Sequence, residues 1–126
     1  MIELYTWGTP NGRKVSIMLE ECGLPYRVHT VDIMQGEQFA PAYLAINPNG
    51  KVPLLVLPDG RRLAESNAML LHLAEGTPFV PADRYDRAIA WQWLFFEQYS
   101  HEPYIAVARS ILVLYPSRRH EATPER

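Results

Sequence analysis

Between Ile2 and Thr6 the chain alternates, with Ile2, Leu4 and Thr6 set against Glu3 and Tyr5, which predicts a first strand. Gly8-Thr9-Pro10-Asn11-Gly12 interrupts that pattern. A helical period follows, with Val15, Ile17, Met18, Leu19 and Cys22 as its apolar members. Its leading residues, Arg13 and Lys14, are basic, against the usual preference at the positive end of a helix dipole. Gly23 stops the helix as the glycine just past its end, and Pro25 secures the stop. Tyr26 to Val31 reads as a second strand, which completes a βαβ unit. Gln35 to Ala45 mixes polar and aromatic residues and reads as a loop with a short helix.

Asn47-Pro48-Asn49-Gly50 is turn chemistry, because Asn and Gly tolerate positive φ and Pro pre-sets its own. Val52 to Leu57 is an apolar run of strand length, with Asp59-Gly60 as the hairpin turn into a further short strand. Pro53 is the odd member of that run. It cannot donate to a ladder, so it marks an edge, a bulge or a cis bond. Glu65-Ser66-Asn67 then opens the helical pattern Ala68, Met69, Leu70, Leu71, Leu73, Ala74, and the pair Glu65-Ser66 also reads as a helix cap. The element order, β-α-β-α-β-β-α, is that of the α/β thioredoxin-like fold.

Composition shifts at residues 76–82, where Gly76, Pro78 and Pro81 predict a linker. The chain therefore divides into a domain at 1–75, the linker at 76–82 and a helical segment at 83–126. Asp83 is placed to cap a long helix, and Arg84 to Tyr115 is predicted to be largely helical with a kink or break at Pro103. Trp91, Trp93, Leu94, Phe95 and Phe96 leave this helix almost no polar face, which predicts that it is covered all round. That makes the aromatic cluster core. The polar stretch from Ser117 to Arg126 is expected to fray.

At 126 residues the chain suits one domain, or one with a fragment, and its 48% hydrophobic and 21% charged residues are those of an ordinary globular protein. A net charge of −2 leaves no electrostatic footprint for nucleic acid. One cysteine excludes an internal disulfide framework and suits a reducing compartment. The N-terminus shows no basic region leading into a long apolar core, so neither a signal peptide nor a membrane partner is expected, and the expected location is cytoplasmic. No histidine pairs with Cys, Asp or Glu at metal-ligand spacing, so no metal is expected.

The chemistry concentrates at Thr9 and Asn11, just before and within the first helical turn. Cys22 lies some three turns on at ~3.6 residues per turn, so this loop supports no dithiol of its own. It suits an incoming thiolate. Helix N–H groups and the dipole lower a thiol pKa from about 8.5, and a hydroxyl or amide donor adds a charge-assisted bond. Taken alone, the same string also satisfies a turn with an N-cap. Cys22 reads as a small core residue beside Val15, Met18 and Leu19.

Val52-Pro53, followed at strand-turn-strand distance by Glu65-Ser66, resembles the glutathione site of glutathione transferases. The Thr-Pro-Asn-Gly string is similar to the thiol loop of the bacterial nu class, whose members resemble glutathione-dependent disulfide reductases. The resemblance implies a cis Pro53, pairing of the Val52 backbone with the cysteinyl part of glutathione, and Glu65 and Ser66 at the γ-glutamyl end. It places Gln38 and Lys51 near the glycine carboxylate, and Thr9 and Asn11 at the thiolate. Tyr99 and His101, with Trp7, become a second-substrate wall. It further implies a homodimer, glutathione as cosubstrate, and an all-helical second domain of which this sequence holds the first helices. The alternative is a non-catalytic thioredoxin-fold interaction module.

Overall fold

The computed structural model describes residues 1–115 together with Ser117 and His120. Alternation along the first strand decides the layers. β1 (Ile2–Thr6) turns Leu4 to one face of a sheet and Tyr5 to the other. It pairs in parallel with β2 (Tyr26–Thr30) and antiparallel with β3 (Leu54–Val56), which pairs antiparallel with β4 (Arg62–Leu63). The strand order is β2-β1-β3-β4, a mixed sheet of the thioredoxin-like kind.

One face is covered by α1 (Pro10–Glu21) and α3 (Ser66–Ala74). Their buried residues fall at helical spacing, Gly12, Val15 and Leu19 on α1 and Ser66, Met69 and Leu73, with Ala74, on α3. Of these, Val15, Leu19, Met69 and Leu73 meet Leu4 and Leu55 in one core. The opposite face gathers Leu54, Val31 and Tyr43 with Tyr5, Ile46, Val52 and Val56. Tyr43 comes from the short α2 (Pro41–Leu44), which follows a 3₁₀ turn at Glu37–Phe39.

The end of α1 follows from Gly23, whose φ of 62° suits a residue without a Cβ. Its N–H bonds to Glu20 O and the Leu24 N–H to Leu19 O, the two bonds of a Schellman stop. Cys22 lies at this C-cap, half-buried, with its thiol 3.6 Å from Leu73 O and from Met18 Sδ.

The chain divides into two compact units, one ending at Val80 and the other beginning at Pro81. In the second, the Asp83 carboxylate accepts from the Tyr85 and Asp86 N–H groups at 2.8 and 3.0 Å and so caps α4 (Arg84–Phe96). Helical structure continues through π-helical turns at Glu97–Ala106, α5 (Val107–Arg109) and a second π-helical stretch at Ser110–Leu114. Two expectations are corrected here. Pro103 does not break the helix. It lies inside the π-helical stretch, where wider turns accommodate a residue that has no N–H to give and whose ring crowds the preceding turn. Nor are Trp91 to Phe96 core among the described residues: α4 buries none of its residues, and Trp93 and Phe95 are 58% and 73% exposed. Most of the tail expected to fray lies outside the described residues.

Candidate functional site

The loop after β1 turns into α1 at Thr9, whose hydroxyl accepts the Gly12 N–H at 3.1 Å as the N-cap. A hydroxyl that accepts one hydrogen bond still carries its own proton, so Thr9 remains a donor toward an anion in front of the helix. Pro10 occupies the first helical position, where its missing N–H costs nothing. Asn11 turns its amide oxygen toward the Ser66 hydroxyl, which donates to it at 3.3 Å.

That contact joins the first turns of two helices from opposite ends of the domain's sequence. A second bond lies beside it. The Lys14 ammonium donates to Asn67 Oδ1 at 2.7 Å, tying the second turn of α1 to the first turn of α3. The dipoles of both helices therefore deliver partial positive charge to neighbouring places, and the first turn of neither contains an acidic residue.

Glu65 is the unusual backbone of the site. Its φ of 68° puts a non-glycine residue in the left-handed half of conformational space, which costs about 1–3 kcal/mol. This overturns the expectation of a plain cap. Glu65 occupies the N-cap position of α3, yet its side chain makes no capping bond, because a capping side chain folds back from an extended backbone that Glu65 does not have. Ser66 is 5% exposed and spends its hydroxyl on Asn11 instead. Neither the Glu65 side chain nor the Ser66 hydroxyl is thus spent on capping α3, and a helix N-terminus is a place that receives a carboxylate.

Val52-Pro53 is a cis peptide bond. The ladder between β1 and β3 runs from the Leu54–Tyr5 pair onward, so Val52 lies beyond it, and the predicted strand is shorter at both ends. Lys51 is exposed. Gln38 approaches the same loop: its backbone oxygen and the Phe39 ring lie within 3.3 Å of where a Cβ on Gly50 would stand. Gln38 Oε1 is buried with no hydrogen-bond partner among the described residues. Trp7 is half-buried in the thiol loop, and Tyr99 and His101 are exposed residues of the second unit.

Gly12 was legible as turn chemistry but does something else. It is buried inside the first turn of α1, where a Cβ would collide with Thr6 Oγ1 and approach the Trp7 carbonyl to 2.5 Å. A glycine opening a helical pattern is the available signal for such a close approach. Lys14 and Asn67 carried no comparable signal, since their bond spans 53 positions. Among the described residues no group of three or more His, Cys, Asp or Glu is placed to hold a metal ion. None of the described helices is long and apolar enough to cross a membrane.

The family described as glutathione S-transferase, N-terminal domain, matches residues 9–75. The disulfide-bond oxidoreductase YfcG of Escherichia coli (strain K12) is 45% identical over 104 residues, which cover 77% of this chain and 48% of that protein. A crystal structure of a possible glutathione S-transferase from Rhodopseudomonas palustris aligns with a TM-score of 0.89 at 46% identity, covering 96% of this chain and 55% of that one. A glutathione transferase homolog from Sulfitobacter, solved with bound glutathione, aligns with a TM-score of 0.77 at 34% identity, over 94% of this chain and 56% of that one. The chain thus spans about half the length of these relatives.

Proposed function

The chain belongs to the glutathione S-transferase family through its N-terminal domain, and from that premise we propose that it binds glutathione and activates its thiolate. The observation that carries the reading is the meeting of two helix N-termini through the Ser66–Asn11 bond, one of them capped by Thr9. In this reading Ser66 and the first-turn N–H groups of α3 take the γ-glutamyl carboxylate, with Glu65 facing its ammonium. The Val52 backbone, on a strand edge beyond the ladder, pairs with the cysteinyl part. Gln38 and Lys51 meet the glycine carboxylate. Thr9 and Asn11 donate to the sulfur at the start of α1.

The catalytic contribution is stabilisation of a nucleophile. With its proton lost to solvent, the thiolate attacks an electrophilic carbon or, as the name of the relative YfcG favours, one sulfur of a small disulfide. In the latter case a mixed disulfide forms, the original S–S bond breaks, and the other half leaves as a thiolate. A second glutathione thiolate then attacks the glutathione sulfur of the mixed disulfide, so the remaining substrate half leaves as a thiolate, oxidised glutathione forms, and two electrons reach the substrate from two glutathiones. Tyr99 and His101, with Trp7, are candidates for the wall against that substrate. The reading takes the protein as a cytoplasmic homodimer, and the exposed aromatic face of α4 supports an interface there. That same face favours the second reading, a non-catalytic interaction module.

Thermal unfolding with glutathione separates the two readings. At about a hundred times Kd the ligand should add roughly 2.7 kcal/mol of apparent stability. A Thr9→Ala, Asn11→Ala double variant should keep most of that gain while the bound thiol's pKa climbs back toward about 8.5. A cooperative transition that glutathione leaves in place sinks the enzyme reading in favour of the module.

A further inference from the structure

The carbonyl oxygen of Lys51 accepts two side-chain hydrogen bonds, from the Tyr43 hydroxyl at 2.6 Å and from Asn47 Nδ2 at 2.7 Å. Both donor residues are deeply buried, Tyr43 at 6% and Asn47 at 4% exposure, while Lys51 itself is exposed. What the two residues hold is therefore the peptide group of Lys51, not its ammonium. They are braced in turn. The Asn47 N–H bonds to Tyr43 O at 2.8 Å, the Gly50 N–H to Asn47 O at 2.9 Å, and the Tyr43 ring lies tilted against Tyr5. Burial pushes the Tyr43 hydroxyl above its ordinary pKa, which keeps it a donor through the neutral range.

The consequence falls on the far side of that peptide. In a planar trans peptide the C=O and N–H point in opposite directions, and Val52-Pro53 is the one cis bond among the described residues. Holding the Lys51 oxygen inward therefore directs the Val52 N–H away from Tyr43 and Asn47. Val52 lies outside the β1–β3 ladder, so no strand neighbour fixes that direction.

We propose that Tyr43 and Asn47 are positioning residues for the bound thiol peptide: by gripping the Lys51 carbonyl they aim the Val52 N–H at the peptide's extended backbone. The inference rests on reading Val52 as the glutathione-binding edge.

Tyr43→Phe tests it, because the change removes one hydroxyl and keeps the ring. The variant should bind glutathione about fivefold to tenfold more weakly, the loss expected for one directional hydrogen bond. The pKa of the bound thiol, read from thiolate absorbance, should stay at the wild-type value, since Thr9 and Asn11 are untouched. In the ligand-free protein the Val52 amide resonance should move while that of Leu4 stays. A loss of stability alone would not produce this split. If Tyr43→Phe does not fold, Asn47→Ala is measured the same way. A folded variant with wild-type glutathione affinity overturns the inference wherever the Val52 resonance lies. A wild-type chain that binds no glutathione overturns the functional reading and this inference with it.

Discussion

The two units of this chain hold similar kinds of apolar residue and use them in opposite ways. In the first, the largest fully buried side chains, Leu4, Val15, Leu19, Leu54, Leu55 and Met69, lie on both faces of one sheet and come from strands and helices far apart in sequence. In the second, Ile111 is the buried hydrophobic residue among those described, while Trp93, Phe95 and Tyr99 stay largely exposed. The first unit gathers its core from several elements, whereas α4 in the second buries no residue and starts at the local Asp83 cap. Apolar content is therefore no measure of core. The difference also bears on the site, because a backbone strained at Glu65 persists only where its surroundings over-determine it.

The strongest way to break the comparison is to truncate one apolar residue in each unit. Leu55→Ala should cost about 2–5 kcal/mol in denaturant unfolding, as a fully buried leucine does. Phe95→Ala should fall within about 0.5 kcal/mol of wild type. Equal costs would mean that α4 is covered in solution. A smaller effect sharpens the claim that the first unit stores strain. Glu65→Gly removes about 1–3 kcal/mol of backbone strain and returns about 0.5–1 through the freer unfolded chain. The variant should melt at or above the wild-type temperature while losing glutathione affinity; a lower melting temperature would show that Glu65 serves the fold. The smallest effect is electrostatic. A hydrogen bond from His29, helped by Arg27, holds the Glu3 carboxyl below its ordinary value. A depressed carboxyl pKa favours the folded state above the ordinary carboxylate range, and the benefit fades as pH falls through and below that range. Glu3→Gln should therefore flatten the decline in melting temperature below about pH 5, leaving the Phe95→Ala comparison unchanged.

Much of the first unit was legible because local chemistry and tertiary role agreed there. Gly23 ends α1 where a left-handed residue was expected, Asp59-Gly60 turns the hairpin, and the cis bond falls at Pro53. The misreadings share one cause, a role set by something outside the local pattern. Glu65-Ser66 has the composition of a cap, but the backbone at Glu65 denies its side chain the capping geometry and Asn11, far off in sequence, claims the Ser66 hydroxyl. Trp91 to Phe96 read as core because a helix surface says how apolar it is, not what lies against it. Tyr43 went unremarked in a stretch read as loop with a short helix, and Asn47 was read only as turn chemistry, although a tyrosine four residues before an asparagine at a helix end is a pattern that can close on one carbonyl.

The π-helical turns around Pro103 change the angular phase of everything after them. Each such turn takes up about one residue more than an α-turn, so side chains fall behind the α-helical wheel by roughly one position per turn. Across Glu97–Ala106 that lag carries Val107 and its successors round to an azimuth that a wheel drawn straight from Arg84 would miss. An α-helical wheel drawn from Arg84 therefore does not carry over to Ile111 to Leu114, which lie in the second π-helical stretch.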